Sequence, residues 1–257
     1  MRRITRFYKN NRVLIWTIIG TGALFLLWWI ISLLVNSTLF PGPQVVVPEF
    51  VAHLGKGDTY LAIGGTLIRL LISIALGFFF GILLGIFGGL SVGFRAFMRP
   101  FIIVFRTIPT AAVVFIIVAL LKPMFAPTII VFLIVFPILY ESVVSGITNI
   151  DQSIVDALKI DGTNVRKAVF KIYLPLSWSY ILLGLVSSIG LGMKVGIMSE
   201  ILAGSDSANG LGKLIRDAAT IADMKGVLSY SLIAIILIGL IDIGMYFLKK
   251  KLKKYAR

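Results

Sequence analysis

Residues 151–175 read DQSIVDALKIDGTNVRKAVFKIYLP, a polar stretch between two of the most apolar segments of the chain. Its first half predicts a short amphipathic helix. Asn149 and Gln152 stand at capping-box spacing, Ile154, Val155 and Leu158 share one face, and Asp161-Gly162 supplies a stop. Thr163 then offers a second N-cap, Val165, Val169 and Ile172 continue an apolar stripe, and Pro175 suits the first turn of the helix that follows. A helix of about ten residues is marginal in water, because nucleation costs more than so few bonds return. The segment is therefore either a loop lying on a lipid surface or a helix that presents its exposed side to a soluble partner.

The rest of the 257 residues set that stretch in a membrane. With 58% hydrophobic residues and a mean hydropathy of +1.01, the chain is too apolar for a soluble domain of this size. A net charge of +14 would suit nucleic acid if it were dispersed. Instead Arg2, Arg3, Arg6, Lys9 and Arg12 at one end, and Lys249, Lys250, Lys251, Lys253, Lys254 and Arg257 at the other, hold eleven of the 25 basic residues beside apolar segments. That is the positive-inside pattern, which places both termini in the cytoplasm against anionic lipid and gives no role to nucleic acid. The absence of cysteine excludes disulfides and thiolate metal sites.

The organisation expected is a basic cytoplasmic N-terminus (1–12), a first membrane helix with an outer loop (13–63), a core of further spans (64–248) interrupted by the polar loop at 149–175, and a basic cytoplasmic tail (249–257). The run from Val13 to Val35 exceeds the roughly 20 residues that a crossing needs, and no clear small-residue cleavage site follows it, so it reads as a retained helix. Trp28 and Trp29 fall near its outer end. After the break at Phe40-Pro-Gly-Pro43, Val45, Val46, Phe50, Val51 and Leu54 predict a short helix on the outer surface, and His53, the one histidine, reads as a solvated residue of that helix rather than a metal ligand. Further spans follow at about 64–90, 100–121, 128–144, 176–203 and 226–248, which makes six crossings, in agreement with two ends on one side. Pro109 is expected to split the third into an interfacial piece and a short crossing part. The outer segment 204–225 carries Asp206, Asp217 and Asp223 against Lys213, Arg216 and Lys225.

Two patterns inside the spans carry meaning. Gly77, Gly81, Gly85, Gly89 and Gly93 recur at every fourth residue, a ridge that lets another backbone come close, since lipid gives little hydrophobic drive between helices. Charges within apolar segments mark a pathway or a structural pair, because a central charge costs about 2.5–3.5 kcal/mol on insertion scales. Lys194 is the deepest. Glu200 lies nearer the outer end and is open to either a structural ion pair or a gate contact, while Arg69 and Arg106 stand toward the ends of their spans, where snorkelling competes with pore lining.

The polar loop resembles the "EAA" loop of bacterial ABC importer permeases, E-A-A-x3-G-x9-I-x-L-P, through Asp156-Ala157-Leu158, Gly162 and Ile172-x-Leu174-Pro175. Asp156 replaces the Glu and Leu158 the second Ala. Phe40-Pro-Gly-Pro-Gln44, Thr66-x-x-Arg69, Arg106-x-Ile-Pro109, Glu200-Ile-Leu-x-Gly204 and Gly210-Leu-Gly212 extend the resemblance to permeases of the nitrate, sulfonate, taurine and bicarbonate type over nearly all of the chain after about residue 25. The resemblance implies an all-α membrane protein with the type I importer permease fold, in which a cytoplasmic coupling helix docks the ATPase. Asp151, Ile154, Asp156, Ala157, Leu158, Gly162 and Pro175 would carry that docking. It further implies a second copy completing the pore in the bacterial cytoplasmic membrane, ATPase subunits holding Mg-ATP, and an extracellular or periplasmic binding protein delivering the solute.

The residues themselves agree that ATP is handled elsewhere. A phosphate cradle needs a glycine-rich loop ending in Lys and then Ser or Thr, and the nearest approach, Gly212-Lys213, is followed by Leu214. No cofactor is expected in this chain. The positive lean of the intramembrane charges suits a small anion such as a sulfonate, taurine or nitrate; a related importer for a vitamin precursor or osmolyte would share the loop. A secondary transporter would need broken helices in inverted repeats, which the sequence lacks, and a membrane enzyme would need a catalytic constellation that it also lacks.

Overall fold

The computed structural model describes residues 2–35, 38–204 and 209–255, with side chains described at 15–35, 38–204 and 209–247. The terminal basic clusters and Asp206 lie outside the described side chains. The described residues form helices and no strand: α1 (Arg2–Leu34), α2 (Pro43–Leu54), α3 (Gly57–Leu90), α4 (Val92–Thr107), α5 (Thr110–Leu120), α6 (Ala126–Thr148), α7 (Gln152–Ile160), α8 (Val165–Ala168), α9 (Leu174–Ala203), α10 (Leu211–Thr220) and α11 (Met224–Tyr255). Five stretches are long and apolar enough to cross a membrane: Ile15–Leu34, Gly57–Leu90, Ala126–Thr148, Val165–Ala203 and Met224–Phe247. The pair α4 and α5 makes a sixth if its two arms, bent by 96°, count as one span. Pro109 causes that bend. The residue before a proline is pushed out of the helical region, and Ile108 is extended at φ −63°, ψ 129°.

Helix α6 is the centre of the bundle, packed between α3 and α9. The contact with α3 is a four-residue register on both sides. A Cβ added at Gly77 would lie 2.9 Å from Val135, at Gly81 2.7 Å from the Cβ of Leu139, at Gly85 2.6 Å from the Cβ of Val143, and at Gly89 2.7 Å from the Cβ of Ile147. The i, i+4 ridge of α6 thus fills a groove that only glycine leaves open. Gly93 departs from the expected ridge: it lies in α4, beyond the end of α3, and a Cβ there would meet only Ser91 Oγ at 3.9 Å. On the other side of α6, Gly184 sits against Ser142 and Gly146 against Ser177.

Helix α2 corrects the reading of His53. Helix α2 is where the apolar spacing puts it, but it packs against α11 strongly enough to leave Val46 and His53 buried, the latter 4% exposed. The imidazole stacks on Tyr230 with ring centres 4.1 Å apart. Its Nδ1 lies 2.8 Å from Ser229 Oγ and its Nε2 3.2 Å from Glu49. A residue read as solvated is a polar rivet between two helices. At the start of α2, Trp28 of α1 donates its indole N–H to Pro41 O at 3.2 Å.

Candidate functional site

The loop at 149–175 folds into α7, a turn, α8 and a π-helical turn, Val169–Tyr173, that runs into α9. The caps differ from those expected, by one or two residues at each start. Asp151, not Asn149, caps α7, its Oδ1 accepting from Ser153 N at 2.9 Å and Ser153 Oγ at 2.7 Å. Asn164, not Thr163, caps α8, accepting from Arg166 N at 2.9 Å. Helix α7 ends at the expected glycine. Gly162 adopts φ +66°, its N–H donates to Lys159 O and that of Thr163 to Leu158 O, both at 3.3 Å, which is a Schellman stop. Pro175 sits in the first turn of α9.

No residue of α7 is buried. Val155 and Leu158 are half-covered, while Ile154, Asp156, Ala157 and Ile160 face outward, Ile160 at 88% exposure. Asp156 accepts from Lys159 Nζ at 3.1 Å and Gln152 Nε2 at 3.0 Å. The bond from Lys159, then that from Gln152, lowers its pKa, and the Ser153 side-chain and backbone bonds do the same for Asp151, because hydrogen bonds to a carboxylate favour its charged form. Both ends of α7 are thus fixed by local bonds while its apolar outer face has no cover. The arrangement is a self-capped helix whose apolar outer face is free to meet a partner.

At the opposite end of the bundle the structure brings Arg69 and Glu200 together. Glu200, 1% exposed, accepts from Arg69 Nη2 at 2.5 Å and Nε at 3.0 Å, from Thr66 Oγ1 at 2.9 Å and from Gly212 N at 2.9 Å. Arg69 also donates to Asn209 O at 2.8 Å, and Leu211 N donates to Thr66 Oγ1 at 2.9 Å. A buried carboxylate persists as an ion only when its lone pairs are met in this way. Of the two readings open for Glu200, the geometry is that of the structural ion pair. It ties α3, α9 and the start of α10 into one clamp. The clamp explains two glycines of the Gly210-Leu-Gly212 motif, since a Cβ at Gly210 would collide with Arg69 Nη2 and one at Gly212 with the Cβ of Glu200.

Arg106 bonds Glu141 across α4 and α6. Glu141 also lines a groove of about 890 Å³, together with Arg95, Arg99, Ile102, Ile103, Tyr140 and Val144 among others.

Lys194 stands apart from both ion pairs. It is exposed on a face of α9 that also carries Tyr180, Leu183, Ser187 and Leu191, with Tyr180, Ser187 and Lys194 at successive seven-residue steps. Among the described residues Lys194 has no ion-pair partner. One turn inward on this helix, a Cβ at Gly190 would lie 3.2 Å from Asp242 Oδ1 of α11, and Asp242 is likewise exposed. Sequence reasoning passed over Asp242 because it is a single acid in a strongly apolar span. Its signal was the same as that of Lys194, a charge at membrane depth.

Residues 77–254 match the family described as "Binding-protein-dependent transport system inner membrane component". No curated protein sequence gives a match. Among solved structures, the MetNI methionine ABC transporter in an inward-facing conformation is similar at TM-score 0.63 and 16% identity, over 74% of this chain and 94% of that one. A bacterial ABC transporter involved in the import of the acidic polysaccharide alginate is similar at TM-score 0.65 and 16% identity, over 97% and 99%. The bacterial alginate ABC transporter in complex with an alginate pentasaccharide-bound periplasmic protein is similar at TM-score 0.66 and 17% identity, over 98% and 99%.

Proposed function

Because the chain belongs to the inner membrane components of binding-protein-dependent transport systems, we propose that it is one transmembrane half of an ATP-driven importer, completed by a second copy of itself. The observation that carries this reading is α7: nine residues with none buried, fixed at both ends by their own caps and outward-facing at Ile154, Ala157 and Ile160. Such a helix needs a partner to be worth building, and a cytoplasmic ATPase subunit holding Mg-ATP is the partner we assign. Both termini and α7 then face the cytoplasm of a bacterial cell, as the basic ends favour. ATP binding would draw two ATPase subunits together, and two α7 levers would rock the halves between inward-open and outward-open arrangements. An extracellular or periplasmic binding protein would load the solute at the end held by the Glu200 clamp.

For the solute we propose a small polar anion of the sulfonate, taurine or nitrate kind. Lys194 offers a cation on the uncovered face of α9. Asp242 adds an anion one turn inward, which suits a solute with an ammonium group as well, such as an amino sulfonate.

Gly162→Val tests the docking role. A β-branched residue in the left-handed region costs about 1–2 kcal/mol and opens the Schellman stop, so ATPase association should be lost while membrane insertion is kept. Gly162→Asn, which tolerates that conformation, should retain the ATPase. Normal assembly of the Gly162→Val variant with its ATPase refutes the assignment.

A further inference from the structure

The groove between α4 and α6 is used by neither the docking loop nor the Glu200 clamp. Arg95 and Arg99 stand four residues apart on α4 and so share a face. Arg95 donates from Nε to Gly88 O at 2.8 Å and from Nη2 to Gly89 O at 3.2 Å. These bonds cap the end of α3 and hold the guanidinium at the groove with N–H groups to spare. Arg99 is exposed and, among the described residues, makes no hydrogen bond or ion pair. The one acid lining the groove, Glu141, is paired with Arg106, which lies outside the lining, so two cationic groups are left unbalanced.

The remaining walls are of a different kind. Ile102 and Ile103 of α4 face Val144 and Tyr140 of α6, and the Tyr140 hydroxyl is buried without a partner. Phe97 and Phe101 stand exposed on α4. A volume of about 890 Å³ is far too large for a bare phosphate, and lies in the range of sites that take a ligand with a sizeable apolar part. The groove opens beside the α3–α4 turn, at the level where a helix leaves the hydrocarbon. Cationic groups at that level with apolar walls running inward match the two parts of a phospholipid.

We propose that this groove binds an anionic phospholipid of the cytoplasmic leaflet, with the phosphate on Arg99 and Arg95 and an acyl chain along Ile102, Ile103 and Val144. The leaflet, though not the chemistry, rests on the orientation given under Proposed function. A lipid held there bridges α4 to α6 beside the Arg106–Glu141 pair and steadies the bent α4–α5 arm against the bundle.

The test uses the full chain, purified with whatever subunits accompany it, as wild type and as Arg99→Gln. Arg99 makes no bond in the structure, so its loss leaves the fold intact. Phosphatidylglycerol should raise the melting temperature of wild type by about 2–4 °C, and native mass spectrometry should find it retained. Phosphatidylcholine and inorganic phosphate should give neither effect, and Arg99→Gln should abolish both. Equal shifts with phosphatidylcholine, a shift with inorganic phosphate alone, or an unchanged shift in Arg99→Gln would each overturn the proposal. Because the chain has no cysteine, Arg99→Cys gives a single thiol; covalent dimers through it would assign the groove to a second copy and also overturn it. Copurification of an ATPase is scored in the same preparations, so failure of the importer reading shows separately from failure of the lipid site.

Discussion

Glu200 is held by four hydrogen bonds in a site closed to solvent, and the value of such a pair lies in what happens when it is broken. Arg69→Met leaves a buried carboxylate without its counter-charge, an effect of about 3–5 kcal/mol, and should lower the melting temperature markedly. Glu200→Gln keeps the shape and an acceptor for Thr66 and Gly212 and should cost less. Equal melting of Arg69→Met and wild type would mean that the clamp does not hold α10. His53 gives a prediction of the opposite electrostatic sense. Burial lowers its pKa from 6.5, Lys56 adds to this, and Glu49 and Asp223 oppose it. The folded chain therefore binds the proton less readily than the unfolded chain. Stability from the α2–α11 contact is fully present above about pH 6.5 and declines as pH falls from there toward the lower folded value. Thermal melts between about pH 7.5 and 5.5 should show that slope in wild type and not in His53→Gln. Nothing near His53 in sequence announces this. Ser229 lies 176 residues away, and an amphipathic outer helix looks the same whether its polar residues meet water or another helix.

At the scale of elements, the glycine ridge was legible because its period is its mechanism: four-residue spacing on α3 opens a continuous groove for the ridge of a neighbour. Val substituted at Gly81 or Gly85 would drive its Cβ to within 2.7 Å of Leu139 or 2.6 Å of Val143. Overpacking of this kind costs about 1–3 kcal/mol per site, and the helices must part to relieve it. The double variant should melt earlier than either single one in a detergent thermal-shift assay, and unchanged melting would show that α3 and α6 can separate at no cost. The identity of the neighbour was not legible, since the ridge names no partner. The starts of α7 and α8 were read to within two residues for a related reason. Asn149, Asp151, Thr163 and Asn164 all have capping side chains, and the choice falls on Asp151 and Asn164, whose backbones leave the helical region at ψ 129° and 130°, which no spacing rule encodes. The stop itself was legible because only a residue that accepts φ +66° can sit there.

At the scale of the whole molecule, five long apolar helices follow from length and hydropathy, and the bent α4–α5 pair, a sixth span if it counts as one, follows from Pro109. The uncovered face of α9 does not, because a single chain shows only what it fails to cover. Lys194 and Asp242 make that failure informative. Each would cost about 2.5–3.5 kcal/mol against lipid on insertion scales, and in this conformation neither neutralises the other. A face bearing both must meet water or protein rather than lipid, which is what the proposed pathway between two copies would supply. Because both side chains are exposed and, among the described residues, bonded to nothing, their loss should leave ATPase association and melting temperature near those of wild type. Lys194→Met should then reduce uptake of an anionic solute, and Asp242→Asn should reduce uptake of a solute with an ammonium group more than that of a simple anion. Uptake by reconstituted vesicles with ATP inside decides the matter. If both variants transport at the wild-type rate, the two charges do not line the pathway, and the anionic-solute reading built on them falls.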